Sequence, residues 1–420
     1  MQKSTRSALS QSAGLLGTFA LLALPLAAAS IQGTKPEDVG LSSDRLQRIH
    51  EVMERHIQAG DIAGGVTLVA RKGRLAHLEA HGVMDLESRK PMPKDGIFRI
   101  ASMSKPITGT AILMLMEEGK IRLTDPVSKF IPEFRGLKVA MVQQGQAGAQ
   151  PLPPHVYTVP ADREITIRDL LTHVSGLVSG PNSTAEAAKF ARQPNDTLAD
   201  YIPRLGAVPL EFQPGSQWRY SPGAGFDTLG RIVEIVSGQT FDQFLRQRIF
   251  DPLGIKDLYF KPGEAGTARL ATVYRKNNGS LEKQQRPDYP NLKYFSGAGG
   301  LLSTTEDYLQ FAQMLLNGGQ LNGKRLLSPK TVELMASVHV PDTLPGRPKG
   351  RGFGLSVQVV SDAVAANLRV SDGSYGWDGA FGTHFWIDPK ERIVGILMVQ
   401  TPNQEVSRDF ENAVMQAVVE

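Results

Sequence analysis

Ser102 and Lys105 stand three positions apart in the run Ser102-Met103-Ser104-Lys105. On a helix, such a pair shares one face with Cβ atoms about 5–6 Å apart, so the amine can reach the hydroxyl. A serine hydroxyl is a poor nucleophile until a neighbouring base takes its proton. A helix that begins at the serine also aims backbone N–H groups and positive potential at any developing oxyanion. The chemistry this supports is nucleophilic acyl transfer. Taken alone, the same spacing describes an ordinary helix start with a capping serine, and it recurs by chance in chains of this size.

The other reactive side chains point elsewhere. His77-Leu-Glu-Ala-His81 is not the H-E-x-x-H order of a helical metal site. It reads as strand, where four steps separate the two rings by about 13 Å. One ion cannot join them, and surface positions are expected. His173 reads as packing, and His384 as packing on a C-terminal strand. No serine sits in G-x-S-x-G. The glycine-rich 297–300 stretch lacks a phosphate-loop lysine and reads as a close-packed turn. There is no cysteine, which excludes thiol catalysis, a disulfide framework and cysteine-based zinc sites. No metal and no cofactor are expected.

Five segments, taken in order, extend the first motif. They are Phe98-Arg-Ile-Ala-Ser-Met-Ser-Lys-Pro-Ile-Thr108, Leu170-Leu-Thr-His-Val-Ser-Gly-Leu177, Trp218-Arg-Tyr-Ser-Pro222, Phe295-Ser-Gly-Ala-Gly-Gly-Leu-Leu-Ser303 and Trp377-Asp-Gly-Ala380. Together they resemble the serine β-lactamase-like family, which holds class C β-lactamases, D-alanyl-D-alanine carboxypeptidases and family VIII carboxylesterases. The resemblance spans roughly residues 40–400. It implies Ser102 as the acyl-accepting nucleophile, with Lys105 and Tyr220 as its proton-handling partners. It implies an oxyanion hole made from the backbone N–H groups of Ser102 and Ala380, with Trp377 and Gly379 facing the substrate. An unperturbed tyrosine titrates near ~10. To act as a base Tyr220 must be lowered by a cation, for which Lys105 is the candidate. Which of the two takes the proton stays open.

Two positions depart from the lactamase pattern. Pro222 stands where class C enzymes carry an asparagine amide that holds the substrate's side chain. Trp377 stands where they carry the lysine of Lys-Thr-Gly, and an indole suits an apolar acyl or alcohol group better than a carboxylate. Both resemble the carboxylesterase branch. The expected activity is therefore ester cleavage on a small-molecule substrate. The alternatives are a D-alanyl-D-alanine carboxypeptidase, D-aminopeptidase or weak β-lactamase, and a non-catalytic penicillin-binding-like sensor. Asp378 is a further departure and reads as a strand-end turn residue.

The elements that must position these groups follow from periodicity. Leu46, Ile49, Met53 and Ile57 mark a helix over about 43–58 behind a Ser/Asp cap region. Residues 64–71 and 74–81 read as a hairpin about Lys72-Gly73. A helix runs from Ser102 to Gly119. Residues 136–160, with four prolines and a Gln/Gly run, read as a surface excursion. Phe226, Leu229, Val233 and Val236 mark a helix closed by Gly238, and Thr240 opens another that closes near Gly254. Ser303 and Glu306 form a capping box, and Ser328-Pro329 starts a further helix. Residues 380–387 and 392–400 read as strands, and 403–418 as a last helix. Terminal strands around a helical middle give an α/β (α+β) fold of the serine β-lactamase-like kind. Its antiparallel sheet would be backed by both terminal helices, within one domain over 36–420 that carries a helical subdomain at about 115–295.

Composition agrees with a folded core: 41% of the 420 residues are hydrophobic and 21% charged. A net charge of +4 without a Lys/Arg block gives nucleic-acid binding no support. Lys3 and Arg6, an uncharged run over 13–29 and Ala27-Ala28-Ala29 form the three-part layout of a secretory leader over 1–29. Periplasmic or secreted location is expected, with no membrane span once the leader is removed.

Overall fold

The computed structural model describes residue 2 and residues 31–143, 155–285 and 292–420. The expected leader, residue 2 apart, and the 144–154 part of the excursion lie outside the described residues. Helix α1 (Ser43–Gln58) starts where the Ser42 side chain accepts from the Arg45 N–H, and Leu46, Ile49 and Met53 form its buried stripe. Strands β1 (Gly64–Arg71), β2 (Arg74–Asp85) and the short β3 (Lys90–Pro91) follow. Lys72 and Gly73 join the first two with φ of 53° and 78°, both left-handed, as a two-residue turn matched to strand twist requires. Helices α2 (Ser104–Glu117), α3 (Ala224–Ser237) and α4 (Thr305–Leu316) belong to the middle of the chain. Strands β4 (Arg351–Phe353), β5 (Gln358–Val360), β6 (Tyr375–Asp378), β7 (His384–Asp388) and β8 (Ile393–Val399) come next, and helix α5 (Gln404–Met415) closes the chain.

The eight strands form one antiparallel sheet in the order β4-β5-β6-β7-β8-β1-β2-β3. The last strand therefore pairs with the first, from Gly65 opposite Val399 to Arg71 opposite Ile393. Every residue of β1 and β8 is buried, because both faces of the sheet are covered. Alternate side chains go to opposite faces. Val69 and Leu397 meet Leu46, Met53, Phe410 and Val414 of α1 and α5. Leu68 and Ile396 join the larger core with Ile112 of α2 and Phe311 of α4. Helix α2 also packs on α3, so it sits between the sheet and the helical region. The expected sheet with both terminal helices on one face is what the chain forms. Among the described residues, no helix is long and apolar enough to cross a membrane.

Several local expectations need correcting. The strand expected over 380–387 begins only at His384. Gly379 donates its N–H to Thr383 O at 2.7 Å and Gly382 takes φ 89°, so Ala380–Thr383 turn between β6 and β7 instead of extending. The α4 cap is Thr304, which accepts from the Asp307 N–H. Ser303 is instead paired in a short strand with Phe98 and Leu258. Within the excursion, Lys138–Gln143 and His155–Pro160 pair as a hairpin stem. His77 and His81 are not surface residues. Each Nε2 lies within hydrogen-bond reach of Thr67 Oγ1, at 2.8 and 2.9 Å, and His81 is 2% exposed. Their rings lean toward one another across the strand, which a count of Cα steps does not capture.

Candidate active site

A tight 3₁₀ turn, Ala101–Met103, leads into α2 and carries Ser102 at its centre. Ala101 has φ 45°, a left-handed conformation that costs a residue with a Cβ and that a supporting structure must hold in place. The support is visible at the neighbouring residues. Ile100 N donates to Leu301 O, and Tyr308 Oη donates to Met103 O.

Lys105 is fully buried at the first turn of α2. Its Nζ lies 3.1 Å from Ser102 Oγ, 3.0 Å from Pro222 O and 2.7 Å from Ala298 O. Burial lowers its pKa to about 7, against the opposing pull of the Asp227 carboxylate. A neutral amine has two N–H groups and one lone pair. With both N–H groups on the carbonyls, the lone pair faces Ser102 Oγ. Pro222, which has no side-chain donor to offer a substrate, contributes its carbonyl to this arrangement.

Tyr220 closes the group from the other side, its Oη donating to Ser102 Oγ at 2.5 Å. The hydroxyl, amine and phenol of Ser102, Lys105 and Tyr220 thus converge, although the phenol is 118 positions away in the chain. The expectation that Lys105 would lower the phenol is not met. Burial raises the Tyr220 pKa above 10, and the hydrogen bond with Ser102 only partly offsets it. Lys105 Nζ lies over the ring face, 4.9 Å from its centroid.

Two further residues hold this geometry, and sequence reasoning missed one of them, Asp227. His173 is fully buried with φ 59°. Its Nδ1 accepts from the Ser221 N–H, its carbonyl accepts from the Arg219 N–H, and its ring lies 4.7 Å from that of Tyr220. It therefore fixes the backbone on both sides of Tyr220. Packing was the expected role, but the packing is against the phenol itself. Asp227, on α3, is a buried carboxylate that receives Tyr294 Oη at 2.7 Å, Ser296 Oγ at 2.6 Å and Ala298 N at 3.1 Å. Desolvation raises its pKa. It ties down the segment whose Ala298 carbonyl holds Lys105. The one available signal was an acidic residue inside a helix stretch whose neighbours are otherwise apolar or small. The glycine-rich segment is the close-packed turn expected: a Cβ on Gly297 would meet Phe226 O at 2.5 Å.

The β6–β7 turn packs beside the serine. Thr383 Oγ1 donates to Ile100 O at 3.3 Å, and a Cβ on Gly379 would meet that same carbonyl at 2.5 Å. Gly379 is buried with its N–H already bonded to Thr383 O, so it permits this close approach. Neither Ser102 N–H nor Ala380 N–H has an acceptor among the described residues. Ala380 supplies its free donor from a turn, not from a strand edge. Trp377 is half-buried, with its ring 5.6 Å from Tyr220 and 5.1 Å from Phe353. Arg347 stacks on Trp218 at 4.4 Å, with Nε and Nη2 bonded to Arg351 O, Gly352 O and Gln358 Oε1. Asp378 has a partner after all. It lies 2.5 Å from His384 Nδ1 across the β6–β7 pair. Burial lowers the imidazole, but Asp378 and Glu411 outweigh it and raise His384 to about 9.

A family model described as Beta-lactamase matches residues 49–420. Lovastatin esterase of Penicillium rubens is 30% identical over 82% of this chain and 90% of its own. Esterase EstB of Burkholderia gladioli is 28% identical over 88% of this chain and 94% of its own. Among solved structures, EstCE1, described as a hydrolase with promiscuous acyltransferase activity, superposes with a TM-score of 0.73. It is 28% identical and covers 89% of this chain and 99% of its own.

Proposed function

The chain belongs to the β-lactamase family and is a serine hydrolase, and from that premise we propose that it is an exported carboxylesterase working through an acyl-enzyme on Ser102. The convergence of Ser102 Oγ with Lys105 Nζ at 3.1 Å and Tyr220 Oη at 2.5 Å carries the reading. Neutral Lys105 takes the Ser102 proton as Oγ bonds to the ester carbonyl carbon. The carbonyl π electrons move to oxygen, and the unengaged N–H groups of Ser102 and Ala380 receive that charge without reorganising. When the intermediate collapses, the C–O bond to the alcohol breaks and the Lys105 proton reaches the leaving oxygen, relayed by the Tyr220 hydroxyl. Water then adds to the acyl carbon, giving its proton to Lys105, and the carboxylic acid leaves as the proton returns to Ser102 Oγ.

This assigns the base to Lys105 and keeps Tyr220 a phenol, in line with the opposite directions in which burial moves their pKa values. A base near 7 suits catalysis at neutral pH. Trp377 at the cleft favours an apolar group, and the Arg347 donors already bonded leave it poorly placed to hold a substrate carboxylate. Esterase names among the relatives favour ester over amide substrates. The leader-like N-terminus supports export, and fractionation of the producing cell for mature protein lacking residues 1–29 tests it.

The enzymatic reading is tested by intact-mass spectrometry after a fluorophosphonate, followed by turnover of p-nitrophenyl acetate, a chromogenic cephalosporin and a D-alanyl-D-alanine peptide. We expect a Ser102 adduct, and kcat/KM for the ester at least about 10²-fold above that for either anionic substrate. Faster cleavage of the peptide overturns the esterase assignment. An adduct with no turnover of any substrate makes the protein a binder.

Asp227→Asn tests the support. The amide keeps one acceptor oxygen but turns an NH₂ toward a donor, so a stability loss of about 1–3 kcal/mol is expected in urea unfolding. It also removes the negative charge that holds Lys105 up, so the acid limb of the pH–rate profile should move to lower pH.

A further inference from the structure

Strand β2 presents His77, Glu79 and His81 at alternate positions, so the three project from one face. Thr67 of β1 lies directly opposite Glu79, flanked diagonally by the two histidines. Helix α1 crosses this face and brings His50 Nδ1 to 2.7 Å from Glu79 Oε1. His81 Nδ1 lies 3.9 Å from the same oxygen, beyond hydrogen-bond reach. That nitrogen is buried and has no hydrogen-bond partner, although the ring's other nitrogen is satisfied. A buried polar atom without a partner is uncommon enough to require a reason.

We propose that His50, Glu79 and His81 form a second site, one that takes a divalent transition-metal ion such as Zn²⁺ and clamps α1 to β2. The three ligand atoms lie within 4.8 Å of one another. Tetrahedral zinc with bonds of about 2.0–2.2 Å sets its ligand atoms roughly 3.3 Å apart, a value bracketed by the 2.7 and 3.9 Å found here. The neighbouring residues prepare the buried ligand. Both contacts with Thr67 are met when His81 Nε2–H donates to Thr67 Oγ1 and the Thr67 hydroxyl donates to His77 Nε2. This leaves His81 Nδ1 as a lone pair facing Glu79, the outer-sphere arrangement that orients metal-bound imidazoles. Two imidazoles and one carboxylate suit zinc, copper or nickel, and not calcium or magnesium, which require oxygen ligands. The His50 and Glu79 side chains are 49% and 35% exposed, which leaves room for water as a fourth ligand. No Ser102-site residue takes part, so the site stands apart from ester cleavage.

The test is calorimetric titration of ZnCl₂ into the full chain, prepared without a histidine tag and stripped with EDTA, with Co²⁺ absorption as a second readout. One Zn²⁺ per chain is expected, and Co²⁺ should give the visible bands of a four-coordinate ion. His50→Ala and Glu79→Gln change partly exposed groups and keep the fold. Each should weaken Zn²⁺ binding more than about 10-fold while ester hydrolysis stays unchanged. Wild-type affinity weaker than about 0.1 mM overturns the proposal. So does an affinity unaltered in both variants, which would put the ion elsewhere.

Discussion

Ser102→Ala is expected to lower kcat toward p-nitrophenyl acetate by about 10⁴–10⁶-fold, leaving only what the donors and binding contribute. The size follows from what is removed. Oγ is the atom that bonds to the acyl carbon, and none of the groups around it can stand in: Lys105 is held by two carbonyls and Tyr220 remains a phenol. KM should move little, since the hydroxyl contributes few contacts to the substrate ground state. The fold should survive. The methyl leaves Tyr220 Oη without its acceptor, a cost of about 1 kcal/mol in chemical denaturation. A variant that keeps a tenth of the activity would remove Ser102 from the chemistry.

Lys105→Met should lower kcat by about 10²–10⁴-fold, the range in which a positioned base contributes. Its sharper signature is in pH. In the wild type kcat/KM should rise through about 7 as Lys105 loses its proton; in the variant that limb should vanish. Stability gives an independent check. The folded-state pKa of Lys105 is depressed, so between about 7 and the ordinary 10.5 the unfolded chain holds a proton that the folded chain has lost. Stability therefore falls as the pH drops through that window and levels off below the folded value. Methionine, similar in length and neutral, removes that slope, while Pro222 O and Ala298 O lose their donor. Urea unfolding at several pH values reads the difference. An acid limb near 7 that persists in the methionine variant would assign it to another group.

How much of this could be read from the sequence depended on the distance over which each feature acts. Helix α1 and the β1–β2 hairpin are set by local periodicity and a left-handed turn, and the expected bounds of α1 and β1 match. The Ser102–Lys105 contact is also local. Tyr220 is not: no period links it to Ser102, and only the resemblance of Trp218–Pro222 to a family motif placed it. Asp227 was hidden because its work is to hold a segment about 70 residues later, which its own helix does not betray. Apolar Ala380 and Phe381 suggested strand, but Gly379 and Gly382 bend the chain there, and that bend frees the Ala380 N–H. The histidines on β2 were misplaced because spacing along a strand fixes where side chains start, not where long rings meet.

The pairing of β1 with β8 has a consequence for biogenesis. One flank of β1 is left unsatisfied until residues 393–399 exist, and the two edges meet across more than 300 residues of intervening chain. So distant a closure is slow to nucleate. Until residues 393–399 have been synthesised, the sheet that carries the β6–β7 turn beside Ser102 cannot be assembled, so hydrolytic competence waits on that distant strand.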